Sequence, residues 1–257
     1  MALAFIESVP LLVLLVFTVA LVLGFAELGH RYGAYRRKRN ELEKTEPVNA
    51  MAGTMLGLLA FLLAFTFGLA ATRFSARQDL VTKEANAVGT CYLRTDLLPE
   101  AQRETAQRLL REYVEVRLAW AASESRGEER HSQQIHEKLW TIAAEFGRAN
   151  GGSESASLFV ESLNEVIDVH EERVLARSHI PVTIWVALYV LSALAFATMG
   201  YYGGLHVSAR SPVLAATALA FAIVIVLIAD LDRPMDGLIE TSQHAMSDLK
   251  ASLNRSR

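Results

Sequence analysis

At 257 residues, 52% of them hydrophobic and with a mean hydropathy of +0.24, the chain carries more apolar side chain than an ordinary soluble fold of its length buries. Membrane spans account for the excess, while a net charge of -3 supplies no basic footprint and excludes nucleic acid as an expected partner. The single cysteine, Cys91, rules out an internal disulfide and a cysteine-built metal centre, and it reads as a small helix-packing residue.

Four apolar runs are long enough to cross a bilayer: Leu11 to Ala26, Met51 to Ala71, Val182 to Gly200 and Val213 to Ala229. The first reads as a retained span. It has no basic residues before it, Glu7 lies there, and no small-residue cleavage site follows. Glu27, near its end, stands four residues before Arg31, the spacing of an interfacial helix ion pair. A basic loop follows with Arg31, Arg36, Arg37, Lys38, Arg39 and Lys44, and the short loop between the third and fourth runs adds Arg210. Lys and Arg in short loops favour the cytoplasmic side, so the expected location is the bacterial inner membrane, with both termini and the long middle segment on the periplasmic side.

The second run continues with no Pro or Gly into the amphipathic stretch Thr72 to Leu98, which predicts one helix that is half span and half stalk. At 1.5 Å per residue, Met51 to Leu98 reaches roughly 70 Å if unbroken. Its membrane half carries small residues at Gly53, Gly57, Ala60, Ala64 and Gly68, continuing to Ala71. Such a stripe lets helix backbones approach closely, either within the chain or against another subunit. Leu58, Leu62, Phe65 and Leu69 form a bulky stripe, the chemistry of a dewetting constriction or of a lipid-facing surface.

Beyond the membrane every periodic stretch has helical spacing. Val81, Ala85, Val88 and Tyr92 define one apolar face, and Leu97-Leu98-Pro99 ends that helix. A second helix presents Ala106, Leu109, Leu110, Tyr113, Val116 and Trp120, and a third presents Ile135, Leu139, Ile142 and Phe146. After the breaker Asn150-Gly151-Gly152, a fourth carries Phe159, Leu163, Ile167 and Val174, with His170 on the same face. His170 reads as a core histidine, with a ligand or pH-sensing role as the functional alternative. Glu161, Glu165, Asp168 and Glu172 read as a solvated or Arg-paired face, and His131 and His136, five apart, do not stack as two ligands. An even number of helices returns the chain to the membrane at Ile180-Pro181, where Trp185 and, further on, Tyr201-Tyr202 mark the interfaces of the third span.

The predicted fold is therefore all-α: a polytopic membrane protein with four transmembrane helices and a long-helix bundle inserted between spans 2 and 3. Its expected parts are residues 1–71, 72–179, 180–231 and a tail at 232–257. Just past span 4, Asp230, Asp232, Asp236 and Glu240 cluster. Asp230, Asp232 and Asp236 are a candidate Ca²⁺ set, whereas Pro234, Arg233 and the missing loop spacing point instead to an ion-paired cap and to no metal. P-loop, dinucleotide-fold and nucleophile-elbow signatures are missing, so no cofactor and no enzymatic chemistry are expected.

Several stretches carry a resemblance: Glu27-Leu28-Gly29, Leu56 to Phe67, Glu84-Ala85-Asn86-Ala87-Val88-Gly89-Thr90 with Tyr92-Leu93-Arg94, Asp96 to Pro99, and Asp230-Leu231-Asp232-Arg233-Pro234 with Gly237 and Ser242-Gln243. On these the chain resembles a bacterial family of bestrophin-like membrane proteins, with Glu84, Asn86, Gly89, Asp230, Asp232, Arg233 and Pro234 as the specific positions. The more distant similarity to bestrophins implies an oligomeric anion channel with its pore helix in span 2. It would make Leu58, Leu62 and Phe65 neck residues and the acids after Ala229 a loose counterpart of a calcium clasp. Bestrophins place the helical body in the cytoplasm, opposite to the orientation that the charge count favours here. The expected function is thus a homo-oligomeric, channel-like protein in the lipid bilayer. The alternative is a non-conducting scaffold or envelope sensor whose bundle binds a protein partner.

Overall fold

A computed structural model describes residues 9–39, 45–123, 126–206, 212–233 and 237–255. Eight α-helices cover most of them, and no strand occurs among the described residues. In chain order these are α1 (Leu11–Lys38), α2 (Thr45–Arg94), α3 (Glu100–Ser123), α4 (Arg126–Ala149), α5 (Glu154–Leu175), α6 (Val182–Leu205), α7 (Pro212–Asp232) and α8 (His244–Arg255). The basic-loop residue Lys44, Arg210 in the later loop, and Pro234 and Asp236 lie outside the described residues.

Two compact units divide the chain. The first comprises residues 1–73 and 179–239, the second residues 74–178 and 240–257. Helix α2 contributes to both, and the C-terminal helix α8 belongs to the second.

In the first unit α1, α2, α6 and α7 are the four helices apolar and long enough to cross a membrane. The chain is a multi-pass, all-α membrane protein. Helix α1 ends on Arg36, Arg37 and Lys38, cations that suit the negative end of the helix dipole. The tight helix crossing inside this unit joins α1 to α6. A Cβ on Gly200 would lie 1.9 Å from the Ala26 carbonyl oxygen, and one on Gly204 would lie 2.2 Å from that of His30. From the other side, Gly29 and Gly33 meet the Ala197 and Tyr201 carbonyls in the same way. Only glycine permits this backbone-on-backbone approach, the form of association available where lipid removes the hydrophobic driving force. Thr18 Oγ1 and the Tyr189 hydroxyl add a hydrogen bond at 3.0 Å, and Tyr32 stacks on Tyr201 with ring centroids 5.6 Å apart.

The second unit is built on one apolar core. Val81, Ala85, Val88 and Cys91 of α2 pack with Leu110 and Tyr113 of α3, Ile135 and Leu139 of α4, and Phe159 and Leu163 of α5. Met246 and Leu253 of α8 enter the same core, and Leu249 packs against it. Helix α2 closes as the sequence predicts: a 3-10 turn over Thr95–Leu97 follows it, and Leu98, preceding Pro99, is extended. The buried stripe of α5 differs from the expected one. It runs through Phe159, Leu163, Val166, His170 and Arg173, leaving Ile167 and Val174 half-buried. The reason is polar: two ionisable side chains are drawn inward by a buried carboxylate on α2.

Candidate functional site

That carboxylate is Glu84. It follows Val81 by three residues and precedes Val88 by four, so helical phase places it on the core face of α2. It is fully buried. Its Oε1 accepts from the Tyr113 hydroxyl at 2.5 Å and from Arg117 Nε at 2.7 Å. Its Oε2 accepts from Arg173 Nη1 and, at 3.4 Å, from Arg117 Nη2. Donors from α3 and α5 therefore converge on one acidic side chain of α2.

A single proton orders the next layer. The Tyr113 hydroxyl has one hydrogen, which it gives to Glu84, so the contact between Tyr113 and His170 Nδ1 at 3.1 Å must run from imidazole N–H to phenol oxygen. Neutral His170 is thereby fixed as the Nδ1–H tautomer, and its Nε2 presents a lone pair. That atom is buried without a hydrogen-bond partner, as are His136 Nε2 and Arg117 Nη1. His136, from α4, meets His170 edge-on with centroids 4.8 Å apart.

Electrostatics follow from this packing. Burial, with Arg117 beside it, pushes His170 down to about 3, and burial pushes His136 down to about 4 against the opposing pull of Glu84. The Tyr113 phenol is raised well above its ordinary value by burial and by the neighbouring carboxylate. Desolvation lowers the Arg173 guanidinium while Glu84 pulls it back up. Trp120 closes one side: the Arg117 guanidinium lies 3.9 Å from an indole ring centroid and that of Arg177 3.5 Å. Arg173 extends the network to the C-terminal segment, donating Nη2 to Gln243 Oε1 at 2.7 Å.

The arrangement suits no metal. Both Glu84 oxygens face guanidinium or hydroxyl donors, and no group of three or more His, Cys, Asp or Glu among the described residues is placed to hold an ion. Its chemical capacity is electrostatic. It ties three helices and the C-terminal segment to one charge.

The sequence-predicted residues fall into three places. Glu84 is the centre of this network. Asn86 is exposed, and Gly89 lies against Leu249 of α8, whose Cδ1 would stand 3.4 Å from a Cβ there, an ordinary van der Waals contact. Asp230, Asp232 and Arg233 are buried at the end of α7. Asp232 accepts from the Ile180 backbone N–H at 3.0 and 3.1 Å, Asp230 accepts from that of Leu238 at 2.7 Å, and Arg233 Nη2 donates to the Val9 carbonyl at 2.6 Å. These residues clasp backbone segments of the first unit. Their carboxylates are engaged by backbone donors, and the third member of the candidate Ca²⁺ set, Asp236, lies outside the described residues.

On the membrane half of α2 the seam buried within the chain is Ala52, Leu59, Leu63, Thr66 and Ala70. Gly53, Gly57, Ala60, Ala64 and Gly68 lie on exposed surface, and a Cβ on any of the three glycines would meet nothing within 4 Å. Among the described residues, then, the three glycines make no close backbone packing within the chain; that kind of packing is seen at the α1–α6 crossing. Leu58 and Phe65 are exposed and Leu62 and Leu69 half-buried.

Tyr113 and Trp120 were legible only as core residues, and Arg117, His136 and Arg173 were missed. A signal existed: Arg117 stands four residues after Tyr113, His136 three before Leu139, and Arg173 three after His170. All three occupy core phase.

The Bestrophin-like domain matches residues 16–246. This chain belongs to the Bestrophin-like family. Among solved structures, a bacterial Bestrophin homologue from Klebsiella pneumoniae carrying a point mutation is 16% identical, with 95% of this chain and 97% of that chain covered and a TM-score of 0.66. Another structure of a Bestrophin homologue from that organism gives 16% identity, coverage of 96% and 98%, and a TM-score of 0.64. At this identity the likeness establishes a shared fold. No curated protein matches the chain.

Proposed function

We propose that this Bestrophin-like protein is the subunit of a homo-oligomeric, channel-like assembly in which the membrane half of α2 lines an ion path. The observation that carries the reading is the exposed face of that segment. A membrane helix of a lone subunit places bulky side chains toward lipid and small ones toward its neighbours. Here Gly53, Gly57, Ala60, Ala64 and Gly68 are exposed, a Cβ on any of the three glycines would meet nothing within 4 Å among the described residues, and beside them Leu58 is 52% and Phe65 67% exposed. A second copy of the chain satisfies the small stripe, and the bulky stripe then supplies an apolar constriction of the kind that gates by dewetting. Leu62 and Leu69 extend it. The reading is non-enzymatic and places the protein in the bacterial inner membrane, with the bundle and termini outside the cytoplasm. Reconstitution in liposomes tests it: purified protein passes ions, and Phe65→Ala alters the flux. Absence of flux across several salts and pH values overturns it.

The Glu84 network favours a second reading, a non-conducting envelope sensor whose helical bundle engages a protein partner. A buried polar network specifies one packing of the helices and makes any alternative packing costly. Crosslinking in membranes that recovers a partner other than a second copy supports this reading.

A further inference from the structure

We propose that the His136–His170 pair is a proton-operated latch that holds the C-terminal segment, Thr241 to Arg255, against the helical bundle of the second unit. The inference is independent of ion conduction. It rests on which groups face the imidazoles and on which of them is free to move.

From α2 the facing group is Glu84, from α3 Tyr113 and Arg117, from α4 His136 itself, and from α5 His170 and Arg173. The only carboxylate within this set is Glu84, already shared by two guanidiniums. A second ring proton on His170 would sit at Nε2, buried with no acceptor, and Nε2 of His136 is likewise buried without a hydrogen-bond partner. Each added proton is therefore a third cation around one carboxylate, and His170 Nδ1 is 4.0 Å from Glu84 Oε1 and competes for it. Arg117 is the more tightly held of the two guanidiniums, fully buried and 3.9 Å from a Trp120 ring centroid, against 5.5 Å for Arg173. Arg173 is the one with slight exposure, and its position three residues from His170 puts both side chains on one face of α5. Displacing Arg173 removes the donor to Gln243, whose neighbour Ser242 is held through its N–H by Gln78 Oε1 at 3.0 Å. Further along, α8 is held by the buried Met246 and Leu253, by Ala245 and Leu249 packed against the core, by the Arg111 Nε bond to the Leu253 carbonyl at 3.3 Å and by the half-exposed Lys250–Glu115 pair at 3.2 Å. Protons entering at the imidazoles thus weaken one end of α8 first. The depressed basicity of both rings, about 4 and about 3, keeps the latch closed at neutral pH.

The test uses the full chain in lipid nanodiscs, with a spin label at Ser247→Cys on the exposed face of α8 and, separately, at Glu104→Cys on α3; Cys91 is buried. The expected result is a label on α8 that gains mobility as pH falls toward the imidazole range, while the α3 label and the far-ultraviolet helix signal are unchanged. In His136→Gln/His170→Gln the α8 transition shifts to lower pH or disappears. In Gln243→Ala, which removes the half-buried side chain that Arg173 holds, the α8 label is already mobile at neutral pH and the transition is lost. Simultaneous loosening of both labels overturns the proposal. So does an unchanged transition in Gln243→Ala, which decides the matter even if the double histidine variant fails to fold.

Discussion

Glu84 and Arg117 meet at 2.7 Å with neither side chain in contact with solvent. An ion pair so placed contributes less to stability than its Coulomb attraction suggests, since both ions were taken out of water. Its breakage is a different matter. Removing Arg117 leaves a buried carboxylate with half of its compensation, and removing Glu84 leaves two guanidiniums repelling each other. Arg117→Met is expected to destabilise the bundle by about 3–5 kcal/mol. Glu84→Gln/Arg117→Met is expected to cost less than the sum of the two single changes, the mark of direct coupling. Chemical unfolding of the four proteins in detergent checks both statements.

Acid should weaken the second unit through its histidines. Both rings bind protons less readily when folded, about 4 for His136 and about 3 for His170, than the ordinary 6.5. The unfolded chain therefore takes up protons first as pH falls. The neutral imidazoles' contribution is fully present above about pH 6.5 and is lost as pH drops through about 4 and then about 3. Over that window the slope approaches about 1.4 kcal/mol per pH unit for each histidine. Unfolding measured from pH 7 to pH 4 should show it, and His136→Gln should flatten it. An equal slope in the variant contradicts the assignment.

Two glycine substitutions separate packing within the chain from packing between chains. Gly200→Ala forces a methyl onto the Ala26 carbonyl, and an expected loss of about 1–3 kcal/mol should lower the thermal midpoint. Gly57→Ala meets open space and should leave the midpoint of the isolated subunit unchanged. If α2 packs against a second copy, the same change lowers the oligomeric mass measured by light scattering.

Asp232→Ala should release the start of α6. Its carboxylate accepts the buried Ile180 N–H, two residues before α6, and stranding a buried donor of this kind costs about 1–3 kcal/mol. Amide exchange at Ile180 is the direct readout. Unchanged protection there would contradict the role.

The four spans and the core faces of the bundle were readable because burial of apolar side chains at helical period leaves a pattern in one dimension. Leu110, Leu139 and Leu163 were found in that way, and all are buried. Pairing between distant polar residues leaves no such trace. His136 looked like one of two badly spaced histidines because its neighbour, His170, comes from another helix. The small stripe of α2 announced close packing within the chain or against another subunit, and the close packing seen within the chain is that of Gly29, Gly33, Gly200 and Gly204, whose spacing on α1 and α6 carries the same signature. Helix α8 is short, and its apolar residues Met246, Leu249 and Leu253 form a stripe too narrow to single out until the groove they fill is known.

The central claim, that the exposed face of α2 borders an ion path, is tested most directly by thiol block. With Phe65→Cys reconstituted in liposomes and Cys91 buried, a charged thiol reagent added from the aqueous side is expected to change ion flux sharply, while the parent protein is unaffected. Flux that is identical before and after labelling, with the label shown to be attached, would contradict the account.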